Sequence, residues 1–483
     1  MKRIAMAAVG VLLLAAGCAN SPSPPSVPKE TPSPPPAPPV VVTPAPTTPS
    51  PPATASVQRE AVPNGFRVGP YRQILNLQWV GEDRVYGVLQ GETEEALALI
   101  HLKEGMPQPL AAVPRDRSFY INEPVLDGTA VLFSGLAPGH WLKPLVGDAV
   151  QIADGSQWQV SPDRTRVVSY VKGKAGWFVD LRTGDSYQAE APGFYGSNVW
   201  DAWSPDGARY LVQTQRTDPV PGFYLLDQSA RRQSTWHEPG HYSLWAAWTP
   251  DSRQIAFLSV PMDTVYPKHP EAWAEPRLAP RLGVLDLASG KARYFSLPDK
   301  VLGAEPLLWS PDSSRIATLC GDLAIKEQVA DMTAQRVCVA DLKSGTITAI
   351  TTEATGPQGR IVLNSWSSDG QSLVYGTFAD PSSLPKYQII SASGGGAAPV
   401  PLPGNGVFWL SNDRLLLEDA LGYGTLTMHD RQGKLLAELA QGTDIGWIAV
   451  SPGRTHLAYT ISTGSQNAAD PPSTYLVVVR TDQ

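Results

Sequence analysis

Two histidines bracket a glutamate in His237-Glu238-Pro239-Gly240-His241, a literal match to the H-E-x-x-H spacing that holds zinc and supplies a general base. That chemistry needs a helix, because a helix brings side chains four apart onto one metal. Pro239 and Gly240 are the poorest helix formers available, so the phrase reads as a turn and is declined as a metal centre. A loop can still carry His237 and His241 to a ligand, and both remain candidate binding residues together with Trp236. No Gly-x-Ser-x-Gly segment occurs, so there is no sign of a nucleophile elbow. No catalytic set, resident metal or cofactor is expected.

The elements that position these residues announce themselves by repetition. Trp203-Ser-Pro-Asp206-Gly207 returns as Trp248-Thr-Pro-Asp251-Ser, Trp309-Ser-Pro-Asp312-Ser and Trp366-Ser-Ser-Asp369-Gly370. Looser copies sit at Ser161-Pro-Asp163, Ser411-Asn-Asp413 and Ser451-Pro-Gly453. A turn phrase followed by an apolar strand, recurring roughly every 40 to 60 residues, marks a repeated β-unit. Pro presets φ, Asp accepts from turn amides, and Gly tolerates positive φ, so the aspartates read as structural. The unit beginning at Ser156 predicts four strands: Gln157–Val160, Arg166–Val171, Trp177–Leu181 and Ser186–Glu190. A meander of four strands cannot bury both faces alone, so the units must stack, and radial closure is the usual solution.

Nine candidate units begin near Ile74, Asn122, Ser156, Asn198, Tyr242, Ala304, Ile361, Gly406 and Ile445. Nine exceeds what such rings commonly hold, so the expected fold is an all-β propeller of eight four-stranded antiparallel blades, within a range of seven to nine. The last unit has only about three strands before the C-terminus, so the N-terminal segment Phe66–Arg72 is expected to supply its fourth strand and close the ring. The repeated Trp-Ser-Pro-Asp-Gly phrase resembles the WD40-like repeat of TolB-type propellers and of the propeller domains of prolyl oligopeptidase relatives. The resemblance covers most of residues 66–483 and implies an interaction platform, a gating domain or an envelope component. The peptidase relatives carry a separate α/β-hydrolase domain, for which this chain leaves no room.

The N-terminus points outside the cytoplasm. Lys2 and Arg3 precede an apolar run from Ile4 to Leu14, short for a membrane span and right for an export signal. The run ends in Leu14-Ala15-Ala16-Gly17-Cys18, which resembles the lipobox of bacterial lipoproteins, with Ala15 where Leu is usual. The resemblance implies cleavage after residue 17 and lipidation of Cys18, which would anchor the chain to the membrane. Ala19 lacks the Asp that resembles an inner-membrane retention signal. Residues 18–63 hold 15 prolines between Pro22 and Pro52, an extended stalk that cannot form a core. The propeller is assigned to residues 64–483. With Cys18 taken by lipid, Cys320 and Cys338 remain as a pair outside the cytoplasm. They fall in neighbouring predicted strands, Arg315–Cys320 and Arg336–Ala340. A cross-strand disulfide and two buried small hydrophobes are both open.

The 483 residues carry a net charge of −7 with no basic cluster, which argues against a nucleic-acid partner. The turns between first and second and between third and fourth strands share one face and are short. The long connections lie on the opposite face, between second and third strands: Thr217–Gly222, Pro261–Arg281, Gly321–Gln335, Ala379–Lys386 and Thr463–Ser473. Long, irregular, aromatic-bearing loops are where recognition is built. The expected site is therefore Tyr266, His269 and Trp273 in the longest insertion, with Trp236, His237 and His241 in the adjoining link. The competing reading packs Tyr266 and Trp273 onto their own ring. The function expected is a non-enzymatic scaffold for a protein or cell-envelope polymer. The alternative is an enzyme working in the central channel on glycans or peptides. The stretches expected to line that channel, Val199–Trp203, Leu244–Trp248 and Leu307–Trp309, offer Asp201 as their one acid.

Overall fold

Serine and aspartate explain why the phrase recurs. In the computed structural model the Ser204 hydroxyl donates to Asp206 Oδ1 at 2.6 Å and accepts the Arg209 amide at 2.9 Å. Asp206 accepts the Ala208 amide in turn, at 3.0 Å. Ser310 with Asp312 and Ser367 with Asp369 repeat the arrangement. These serines are buried, and a buried hydroxyl needs both its donor and its acceptor role filled. Each phrase therefore folds one hairpin turn and satisfies its own polar atoms.

The structure describes residues 58–481, apart from 91–93, 115–119, 135–138, 154–156, 171–175, 192–202, 214–221, 263–279, 297–300, 303–306, 327–328, 352–359, 379–382, 395–398, 405, 419–423 and 464–472. Residues 1–57, Cys18 among them, lie wholly outside the described residues. Among the described residues no helix is long and apolar enough to cross a membrane.

The fold is a propeller of antiparallel four-stranded blades, and it has nine of them rather than the eight expected. Every candidate unit forms a blade, including the first two, whose turns are the weakest matches to the phrase. Their second strands, Arg84–Gln90 and Ala130–Ser134, are buried almost throughout. Burial on both faces, rather than the turn phrase, makes a blade. The unit read from Ser156 forms Gln157–Val160, Arg166–Tyr170, Gly176–Asp180 and Ser186–Gln188 in that order. In blade four three strands are described, and Trp203 bridges Tyr210 at their inner edge. One strand, Leu435–Val450, serves first as the outer strand of blade eight, pairing with Gly424–Asp430, and then as the inner strand of blade nine, pairing with His456–Thr463. Beyond His456–Thr463 lies Ser473–Arg480, and Gly65–Tyr71 pairs antiparallel with that strand.

Middle strands are sandwiched and outer strands are wet. Gln254–Pro261 is buried at seven of eight positions, whereas Arg232–His237 is exposed at all but one. The core is a set of wedges between blades. Ala256, Leu282, Ile316 and Cys338 fill the boundary of blades five and six. Trp79, Val85, Ala458 and Leu476 do the same between blades nine and one.

The connection Gly321–Gln335 is not an irregular loop. Arg315–Lys326 and Val329–Asp341 stay paired out to Lys326 opposite Val329, so blade six extends as a β-hairpin. Cys320 and Cys338 form a disulfide near the base of this extension, their Cα atoms 5.9 Å apart.

Candidate interaction site

The His-Glu-Pro-Gly-His phrase links the outer strand of blade four, Arg232–His237, to the inner strand of blade five, His241–Trp248. It is a tight turn. The His241 amide donates to the Glu238 carbonyl at 3.1 Å, and Gly240 sits at φ 76°. Pro at the second position and a positive-φ Gly at the third is the arrangement a type II turn requires. A helix is excluded, and with it the geometry that would put two imidazoles on one metal. Among the described residues no group of three His, Cys, Asp or Glu side chains converges as a metal site.

Glu238 turns inward, its side chain only 11% exposed. Arg281, at the start of the third strand of blade five, donates to its Oε1. Ser259, on the second strand, donates to its Oε2 at 2.6 Å. Tyr294, on the fourth strand, bonds the same carboxylate, and burial followed by that bond pushes the tyrosine hydroxyl well above its usual range. The Arg281 guanidinium also lies 4.1 Å from the centre of the Tyr294 ring. His241 Nδ1 approaches Glu238 Oε1 at 3.5 Å and Arg281 Nη2 approaches His241 Nε2 at 3.5 Å. These donors hold the carboxylate in one position.

The cluster has a mechanical consequence. The Met262 amide donates to the Gly240 carbonyl at 2.9 Å, so the turn grips the chain just before residues 263–279. Arg281, gripped by Glu238, lies just after them. Both stems of the longest connection are thus tied to one turn.

Of the expected site residues, His241 joins this cluster and His237 does not. His237 sits opposite Gly222 at the exposed end of its strand. Trp236 is packing at the boundary of blades four and five: its ring stacks on Phe223 at 5.6 Å and meets Phe257 at 4.7 Å. Tyr266, His269 and Trp273 lie outside the described residues, as do Asp201 and Val199 of the stretches expected to line the channel. Arg281, Ser259 and Tyr294 were not legible as site residues. They come from three separate strands, and only Arg281 carries a signal, its place at the end of the long insertion.

No protein-family model matches the chain, and no curated protein matches its sequence. Solved structures resemble it in fold. A eukaryotic initiation factor superposes with a TM-score of 0.52 at 11% identity, covering 80% of this chain and 93% of its own. Oligogalacturonate lyase in complex with manganese gives 0.41 at 15% identity, covering 85% and 98%. A putative TolB from Agrobacterium tumefaciens gives 0.31 at 14% identity, covering 52% and 83%. At such identities the likeness speaks to the propeller alone.

Proposed function

We propose that this chain is a lipid-tethered, extracytoplasmic scaffold that binds a protein or cell-envelope polymer on the face carrying its long connections. The observation that carries the reading is the grip of the 238–241 turn on both stems of the 263–279 connection. Met262 bonds Gly240 and Arg281 bonds Glu238, so the connection bearing Tyr266, His269 and Trp273 departs from fixed points. Rigid stems lower the ordering cost of binding. The same bonds use up the carboxylate of the one literal catalytic motif, which favours recognition over turnover.

The finer features belong to the same reading. Lipidation of Cys18 holds the ring at the membrane, and residues 19–63 act as its stalk. The strand Gly65–Tyr71 closes the ring, a role supported by its register with Ser473–Arg480.

The test is capture with the full-length protein in detergent against solubilised cell-envelope extract. Recovery of one stoichiometric protein or polymer supports the scaffold. Turnover of glycan or peptide substrates, with nothing retained, supports a channel enzyme instead. Metabolic labelling with palmitate in wild type and in Cys18→Ser tests the tether independently.

A further inference from the structure

One copy of the turn phrase lacks its acid. In blades three, four, six and seven the serine hydroxyl donates to an aspartate of its own turn at 2.5–2.6 Å. Blade nine reads Ser451-Pro-Gly453-Arg454-Thr455, with glycine at the acid's position. Ser451 is nonetheless buried at 2% exposure, and it accepts the His456 amide at 3.1 Å as its counterparts do. Its proton goes to Glu82 Oε2 at 2.8 Å.

Glu82 belongs to blade one. It lies in the turn after the inner strand Gln73–Val80, far away in sequence and adjacent in space. The glutamate takes over the same two hydroxyls, both through one oxygen. Thr455 Oγ1 donates to Glu82 Oε2 at 2.5 Å, as Thr165 Oγ1 donates to Asp163 Oδ2 at 2.9 Å and Ser314 Oγ to Asp312 Oδ2 at 2.7 Å. The Gly453 amide donates to the second carboxylate oxygen. A Cβ at position 453 would lie 2.7 Å from that oxygen, so the missing side chain is the space the glutamate occupies. Trp79 crosses the same boundary, donating to the Ala449 carbonyl at 2.8 Å.

We infer that Glu82 is the seam lock of the ring: the first blade lends the last blade the carboxylate its turn lacks, so the ninth blade is completed only when it meets the first. Other boundaries also carry polar contacts, such as Arg431 to Asp369 at 2.7 Å. There, however, the turn keeps its own acid.

The experiment is hydrogen–deuterium exchange on the full-length protein in four forms: wild type, Glu82→Ala, Gly453→Asp, and the double variant. Asp312→Ala serves as the control in which the same turn bond is lost within one blade. Glu82→Ala should speed exchange about tenfold, the size expected for losing hydrogen bonds to a charged acceptor, both at Thr455 and His456 and along Gln73–Val80. Blade six should stay at the wild-type rate. Asp312→Ala should leave the seam unchanged. Gly453→Asp alone should loosen the seam, since two carboxylates then compete for one set of donors. In the double variant the new aspartate should restore protection at Thr455 and His456, while Gln73–Val80 stays fast because the bridge between blades is gone. If Glu82→Ala does not fold, Glu82→Gln, which keeps the shape and one acceptor, should fold and show the same pattern with a smaller rise. Unchanged seam exchange in either Glu82 variant would overturn the inference. So would a double variant that restores Gln73–Val80, because the bridge would then not be what holds the seam.

Discussion

Trp366 donates its indole N–H to the carbonyl of Leu308, 2.9 Å away across the boundary between blades six and seven. Trp309 does the same to Ala247 at 3.1 Å, and Trp79 to Ala449 at 2.8 Å. In these three blades the tryptophan therefore fills a wedge and fastens it to the preceding blade's inner strand. Trp366→Phe keeps most of the ring's area but leaves a carbonyl unpaired at the boundary, and should cost about 1–2 kcal/mol. Trp409 supplies the contrast. Among the described residues its buried indole nitrogen has no hydrogen-bond partner, so Trp409→Phe should cost less. Urea unfolding of both variants decides this, and equal losses would refute the bond's role.

Acid should unfasten the turns. Asp163, Asp206 and Asp312 are held below the usual carboxylate range, burial working against the shift and the serine hydroxyl and turn amides prevailing. In Asp369 the same opposition, with Arg431 added on the winning side, brings the value to about 2. A carboxylate whose pKa is depressed on folding stabilises fully above its unfolded value of about 4 and loses that contribution as pH falls through the folded value. Stability should be level above about pH 5 and fall between about pH 4 and pH 2. Asp369→Asn should flatten part of that slope. A stability curve level down to pH 2 would sink the claim.

The grip on Glu238 yields a third expectation. Glu238→Gln leaves the Arg281 guanidinium without its counter-charge in a partly exposed cluster, and should lower stability by about 1–2 kcal/mol. Because the turn cannot place His237 and His241 on one ion, dialysed wild-type protein should hold no stoichiometric zinc. His237→Ala and His241→Ala should leave its metal content unchanged. Elemental analysis showing one zinc per chain, lost in both variants, would contradict the turn reading.

Reduction should loosen blade six. The Cys320–Cys338 bond closes a separation of 18 residues, for which chain-entropy reasoning gives about 3 kcal/mol. Cys320→Ser with Cys338→Ser should lower the unfolding midpoint, and reductant should act on wild type and not on the variant. A wild type indifferent to reductant would show the bond to be immaterial.

Much of the ring could be read from the chain because its logic is local. Ser204 and Asp206 satisfy each other within one turn, and the short apolar runs in Arg166–Tyr170 and Gly176–Asp180 are bounded by turn residues close in sequence. All nine starting points were visible, and the count of eight came from a general expectation about rings. What stayed hidden is what depends on distant residues. Gly453 looks like a degenerate copy until Glu82 is seen in its place. Ser259, Arg281 and Tyr294 meet Glu238 only after three strands pair. The extra residues in the inner strands near Asn76 and Trp245, both at positive φ, leave an apolar pattern that still reads as a plain strand. Gly321–Gln335 has no clean period of either kind, so its extension of the hairpin rests on pairing rather than composition.

The recognition face offers the most consequential test. If the 238–241 turn exists to aim the 263–279 connection, capture should depend on both the loop's aromatics and the grip at its stems. Trp273→Ala with Tyr266→Ala should weaken capture of the envelope partner at least tenfold, the range expected for aromatic anchors. Glu238→Gln should weaken it by a smaller factor through the dissociation rate, because a looser loop pays more ordering entropy on binding. Trp236→Phe, which preserves packing against Phe223 and Phe257, should leave it unchanged. Surface plasmon resonance on immobilised full-length protein separates these effects. Undiminished capture by the folded Trp273→Ala, Tyr266→Ala protein would remove those residues from the site and move the search to the other long connections on that face.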